Sequence, residues 1–178
     1  GEMPESGCCT ASDSEDARKV ASKLDIPYYV LDYTESFSKN VVDNFTQMYA
    51  QGLTPNPCVE CNRSVKFDHF ISQAKKLNCE KIATGHYAKI IKKNDKYELH
   101  KADYLDKDQS YVLHMLKSSD LENITFPLGE ISKPEVRQIA ARIGLKTAFK
   151  KDSQDICFVG KKDYRSFVEK RIDLTSPG

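Results

Sequence analysis

Amphipathic helices and short apolar strands alternate through the first half of this chain, and that alternation constrains the fold more than any other feature. Residues 12–24 place Ala17, Val20, Ala21 and Leu24 at i, i+3, i+4 and i+7, the spacing of one helix face. Ser12 or Ser14 can cap this helix, and Asp13, Glu15 and Asp16 suit its positive end. Asp25-Ile-Pro27 stops it, because proline cannot continue a helix. Residues 28–31 are aromatic and β-branched and read as a buried strand. A second helix spans 37–50, with Val41, Phe45, Met48 and Tyr49 inward and Gly52 as its closing glycine. Thr54-Pro-Asn-Pro57 begins a stiff, extended loop to Asn62. A third helix spans 65–77, with Val65, Phe67, Phe70, Ile71 and Ala74 as its apolar set. A strand at 81–84 ends at Gly85-His86, and residues 87–100 read as a β-hairpin turning at 92–95. This order implies an α/β fold with a parallel sheet, in which ligands gather at the carboxyl ends of strands.

The second half reads as more helical. Asp108 can cap a helix over 109–116, 122–129 is irregular, and Ser132 caps a helix over 134–143 that Gly144 ends. Residues 155–159 suggest a strand and 163–171 a last helix. The expected organisation is one domain over 1–171, with 172–178 as the start of a linker.

Composition narrows the classes. Hydrophobic residues make up 39%, enough to build a core, and no run approaches the ~18 apolar residues of a membrane span. The start, Gly1 to Ser6, is polar and acidic, unlike a signal or transit peptide. Six cysteines are too few for a disulfide framework in a chain of 178 residues. A reducing, cytoplasmic setting is therefore expected, with an organellar matrix as the other choice. The eight glycines are too dispersed to form GxGxxG or GxxxxGK[ST], so the chain has no phosphate loop of either kind. The net charge of +1 conceals a split: residues 1–60 hold 4 Lys/Arg against 10 Asp/Glu, and residues 61–178 hold 23 against 16. The basic part is compatible with a polyanionic partner.

Several residues could do chemistry. Cys58 and Cys61 form a CxxC, but a zinc site needs a second ligand pair that the chain lacks. A thioredoxin-like pair normally starts a helix after a strand, whereas this one follows Pro-Asn-Pro. Cys157 follows Lys150 and Lys151, and nearby cations activate thiols; a buried cysteine beside Ile156 and Phe158 is the plainer reading. His86 stands at a strand end, where a ligand role and a structural role are equally open. Lys107-Asp108-Gln109 precedes an expected helix, and its residue types serve either as a cap or as phosphate and base contacts. Between Arg142 and Arg171, 9 basic and 4 acidic residues interleave with Phe149, Tyr164 and Phe167, a pattern that suits RNA or a solvated face.

In order along the chain, Cys8-Cys9-Thr10 with Asp16-Ala17-Arg18, Thr54-Pro-Asn-Pro57, Cys61-Asn62 with Lys66-Phe67, Ala83-Thr-Gly-His-Tyr-Ala88, Lys107-Asp-Gln-Ser-Tyr111, Phe126-Pro-Leu-Gly129 and Lys151-Asp-Ser-Gln-Asp-Ile-Cys-Phe158 resemble the tRNA-specific 2-thiouridylase family. The resemblance covers about residues 8–178. It implies a Rossmann-like parallel sheet of the adenine nucleotide alpha-hydrolase type, with flanking helices, a β-hairpin insertion and a helical C-terminal part. It implies ATP, with Mg, adenylating the C2 oxygen of the tRNA wobble uridine, which sulfur then replaces. Cys157 matches the cysteine that carries the persulfide and Cys61 its partner, with a Cys61–Cys157 disulfide left behind and reset by a reductant. The partners so implied are tRNA and a sulfur-relay protein or cysteine desulfurase, with no membrane. Asn56, Pro57 and Cys58 match the stretch that receives the extruded base, Gly85 an adenylate contact, and His86, Lys107, Asp108 and Gln109 tRNA contacts.

Two departures qualify the match. Many family members carry Asp where this chain has Cys58, so the acid/base role is unassigned. The change also offers Cys58, Cys61 and Cys157 as ligands for an iron–sulfur cluster with one iron open, a minority reading. The family's Ser-Gly-Gly-x-Asp-Ser pyrophosphate loop and its C-terminal domains are not in this sequence, so 1–171 is expected to be a partial ATP-pyrophosphatase-like catalytic domain, inactive alone, with the linker leading to a missing central domain. The rival reading is a non-catalytic RNA-binding or zinc-binding module.

Overall fold

The computed structural model of the protein describes residues 10–150, 152, 156–159 and 164–172. It forms two compact units, Gly1–Pro57 with Phe149–Gly178, and Cys58–Ala148.

In the first unit, helix α1 spans Ala11–Lys23. Its cap is Thr10 rather than Ser12 or Ser14. Thr10 is extended, its hydroxyl accepts the Asp13 N–H at 3.1 Å, and the Asp13 carboxylate accepts the Thr10 N–H at 3.1 Å, a reciprocal capping box. The helix closes at Asp25, whose φ of 53° turns the chain left-handed while the Ile26 N–H reaches the Ala21 carbonyl at 3.1 Å. Residues 28–31 depart from expectation. They are not a ladder strand, and Tyr29 and Val30 are 71% and 72% exposed. Side-chain type favours an extended backbone, but a strand also needs a hydrogen-bonding neighbour, and no described residue supplies one.

Helix α2 runs unbroken over 34–50, with a wider π turn at Ser38–Asp43 between α-helical Thr34–Phe37 and Asn44–Ala50. It starts before residue 37 because the Asp32 carboxylate accepts the Thr34 N–H at 2.9 Å. It buries Val41 and Phe45, and Gly52, at φ 73°, closes it as expected. The expected strand at 155–159 is a turn over its described part, closed by the Val159 N–H on the Ile156 carbonyl at 3.1 Å; residues 153–155 lie outside the described residues. The last helix is Tyr164–Glu169, counted below as α6. Asp163, Cys8, Cys9 and linker residues 173–178 also lie outside the described residues.

In the second unit, helix α3 runs over 57–76, with a π stretch at Cys61–Phe67 between α-helical Pro57–Glu60 and Asp68–Lys76. The extended loop expected up to Asn62 therefore ends at residue 56. Proline's missing N–H costs nothing in the first turn, where helix donors have no internal partner, so Pro57 starts the helix instead of preventing it. Strand β1, Ile82–Ala83, pairs in parallel with β4, Ile124–Thr125, in a stretch the sequence left irregular. A two-residue strand is too short to show periodicity.

Strands β2 (Ala88–Lys93) and β3 (Lys96–Lys101) form the expected hairpin. Asn94 and Asp95, at φ 49° and 60°, make the turn whose twist matches paired strands. The helix expected over 109–116 is absent. Short 3₁₀ turns at Leu105–Lys107 and Ser110–Val112 stand there, and Asp108, the expected cap, instead accepts from the Ala102 N–H and the Ser110 hydroxyl. Helix α4 is Ser118–Leu121 and α5 is Lys133–Arg142. The latter is capped by Ser132 and Glu135, carries Pro134 in its first turn and is followed by Gly144 at φ 70°, as its sequence predicts. Phe67, Ala88, Val112, Leu113, Ile124 and Phe126 form the core. No helix among the described residues is long and apolar enough to cross a membrane.

Candidate active site

The start of α3 presents the CxxC. Cys58 and Cys61 are three residues apart in the first turns, so they share a helix side; Cys58 is exposed and Cys61 half-buried. A pair at the start of a helix is the arrangement that the Pro-Asn-Pro reading disfavoured. Asn56 and Pro57 lie immediately before it. Next to Cys61, Asn62 is 3% exposed, and its Oδ1 has no hydrogen-bond partner among the described residues.

Gly85 follows the end of β1, and the structure itself does not demand glycine there. Its φ is not positive, and an added Cβ would meet only Leu128 Cδ1, at 3.8 Å. Gly85 is exposed at the carboxyl end of a parallel strand, the place where α/β folds gather ligands.

His86 is 8% exposed, with its ring 5.9 Å from that of Phe67 and 6.0 Å from that of Phe126. Its Nδ1 and the Thr84 hydroxyl share a hydrogen bond of 2.8 Å. Burial, helped by the positive charge of Lys66, pulls its pKa down to about 4, so the ring is neutral at pH 7. The loop carrying Lys107, Asp108 and Gln109 is braced against this turn. The Gln109 N–H donates to the Tyr87 carbonyl at 2.8 Å, and the Gln109 side-chain oxygen accepts the Tyr87 N–H at 3.0 Å. Asp108 accepts from the Ala102 N–H at 2.9 Å and the Ser110 hydroxyl at 2.7 Å. The fold thus joins His86 to the 107–109 loop through Tyr87.

Cys157 belongs to the first unit, half-buried on the turn that ends at Val159. Of the two lysines that precede this thiol in sequence, Lys150 binds the carboxylates of Asp13 at 2.7 Å and Asp16 at 2.6 Å with its ammonium. Lys151 lies outside the described residues. Among the described residues no group of three or more His, Cys, Asp or Glu could hold a metal ion.

The model of the family described as "tRNA methyl transferase HUP domain" matches residues 2–161. The chain belongs to this family. HUP-domain membership accords with the α/β class, the parallel pair and the glycine at the strand end. Curated proteins of the same kind are named tRNA-specific 2-thiouridylase MnmA. One from Leptospira interrogans is 47% identical over 171 residues, 96% of this chain and 46% of the relative. One from Clostridium botulinum is 47% identical over 167 residues, 94% and 46%. One from Chloroflexus aurantiacus is 48% identical over 167 residues, 93% and 46%. The chain thus spans about half the length of the curated relatives it matches.

Sequence reasoning missed two features of the site. One is the ring cluster that grips Phe158, since its members are scattered over residues 37–167. The other is the partnership of Lys150 with α1, which spans more than 130 residues. The aromatic residue after Cys157 was the only local signal.

Proposed function

We propose that this chain carries the cysteine and nucleotide side of an ATP-dependent transfer of sulfur to C2 of a tRNA wobble uridine. The observation that carries the reading is the pairing of a helix-start CxxC with a nucleotide-compatible glycine at a strand end, in a chain about half identical to proteins named 2-thiouridylases. The family's printed description mentions methyl transfer; the names of the curated relatives, 2-thiouridylases, together with the paired thiols favour sulfur chemistry.

In this reading Cys157 holds the sulfane sulfur, delivered by a sulfur-relay protein or cysteine desulfurase. ATP, with its Mg, supplies the leaving group on the C2 oxygen when bound. Gly85 lets that nucleotide approach the backbone, and Asn56, Pro57 and Cys58 line the place of the base. The sulfane sulfur bonds to C2 and the activated oxygen leaves. Cys61 thiolate attacks Cys157 Sγ, breaks its bond to the transferred sulfur and forms a Cys61–Cys157 disulfide. A thiol reductant returns both cysteines. His86, Lys107, Asp108 and Gln109 form the RNA side: Lys107 supplies charge, while Asp108 and Gln109 hold the loop with their side chains. Residues 1–171 constitute the catalytic part, and the chain alone does not turn over.

In the complete protein, Cys61→Ser and Cys157→Ser should each lower thiolation by at least about 1000-fold with folding intact. Full activity in either variant overturns the reading. Unfolding on changing Cys58 or Cys61, with Cys157→Ser active, would favour the zinc-binding module instead.

A further inference from the structure

Phe158 meets three other rings of the first unit. Its ring centroid lies 5.2 Å from that of Phe45 at 86°, 5.3 Å from Phe167 at 54°, and 5.8 Å from Phe37 at 75°. Phe45 is 1% exposed and also meets Tyr49 at 4.8 Å. The Arg171 guanidinium covers Phe167 at 3.9 Å, within cation–π range. Two of these partners come from α2 and one from α6, so Phe158 is held by two helices at once. The near-perpendicular contacts are the arrangement that aromatic quadrupoles favour, and they resist rotation of the ring more than aliphatic packing does.

Cys157 is the residue before Phe158, on a turn closed by the Val159 N–H to the Ile156 carbonyl at 3.1 Å. With the next side chain fixed and the turn closed, the backbone and Cβ of Cys157, from which the sulfur extends, are held in place. A group that must both accept and deliver a sulfur atom gains from such placement, since a misplacement of about 1 Å costs about 100-fold in rate.

We propose that Phe158 is the positioning residue of Cys157, and that the Phe37, Phe45 and Phe167 rings are the seat that locates the thiol. This rests on the reading that Cys157 carries the transferred sulfur. The test uses the complete protein with tRNA, ATP and a persulfide donor, comparing Phe158→Leu, Phe158→Tyr, Val168→Ala and Cys157→Ser. Leucine keeps most of the burial and loses the edge-to-face contacts; tyrosine keeps them. Val168→Ala removes buried carbon from α6 without touching a ring.

Phe158→Leu should lower kcat about 30-fold with KM for tRNA within about 2-fold, and shift the pH profile of Cys157 alkylation. Phe158→Tyr should restore kcat to within about 3-fold of the parent, and Val168→Ala should leave kcat within about 2-fold. Wild-type kcat in folded Phe158→Leu, or an equal loss in Val168→Ala, overturns the positioning role while an inactive Cys157→Ser upholds the reading beneath it. An active Cys157→Ser overturns that reading whatever Phe158 does.

Discussion

The two units satisfy their apolar residues in different ways. The second closes on itself: a parallel pair and a hairpin pack with α3 around Phe67, Leu113 and Phe126, and loops such as 107–109 are braced by side chains. The first relies on rings contributed by distant segments and on an ion cluster, and it leaves the extended run containing Tyr29 and Val30 largely exposed. The difference shows where placement is set by tight backbone contact and where by side chains alone. Each unit bears one of the two cysteines in the proposed chemistry.

The close approach of Gly129 to the Ala88 backbone in the second unit is the strongest place to break the comparison. A Cβ on Gly129 would lie 2.1 Å from the Ala88 carbonyl oxygen and 2.7 Å from Lys89 Cγ. Gly129→Ala should therefore destabilise the protein by about 3 kcal/mol, seen as a lower urea midpoint. Gly85→Ala, with room for its methyl, should leave that midpoint unchanged while weakening ATP binding measured by calorimetry. A stable Gly129→Ala would mean that the second unit is as adaptable as the first.

Acid should separate the units next. His86 has a folded pKa of about 4 against an ordinary 6.5, so between those values the unfolded chain takes a proton that the folded chain refuses. Stability of the second unit then falls as pH drops from 6.5 to 4, by about 3 kcal/mol in all, and His86→Phe should flatten that slope. Asp13 behaves oppositely in origin: Lys150 and Thr10 hold it at about 2 against 3.8, so its contribution is present above pH 3.8 and disappears as pH falls through 2. Amide exchange resolved by segment should show residues 58–148 loosening before α1 as pH is lowered. The reverse order would refute the assignment.

The smallest effect concerns Lys150. Exposed ion pairs contribute little and are screened by salt, so Lys150→Met should lower the melting temperature only slightly, and less at 0.5 M salt than at ~0.05 M. A large or salt-independent drop would show that the first unit depends on this cluster as the second depends on Gly129.

Local chemistry made much of the molecule legible. Ser132 with Glu135, Gly52, Gly144 and the Asn94-Asp95 turn all act within a few residues, and the alternation of helix and strand led to the α/β class. The candidate site residues from Asn56 to Cys61 and at Gly85-His86 likewise sit in contiguous motifs that the sequence displays. Where competing local forces were close, the outcome needed three dimensions. Pro57 could stop a loop or start a helix, and it starts one, which places the CxxC in a helical turn. Asp108 could cap a helix, and instead it holds the Ala102 N–H.

Contacts between residues far apart in the chain were not legible at all. Their energy belongs to pairs that only the folded chain brings together: Phe158 with Phe37 and Phe45, and Lys150 with Asp13 and Asp16. The sequence determined which residues are thiols, glycines and helix ends, because those properties are covalent or local. Tertiary structure alone decided the burial of His86, the exposure of residues 28–31 and the ring contacts of Phe158, because each depends on what neighbours the fold provides.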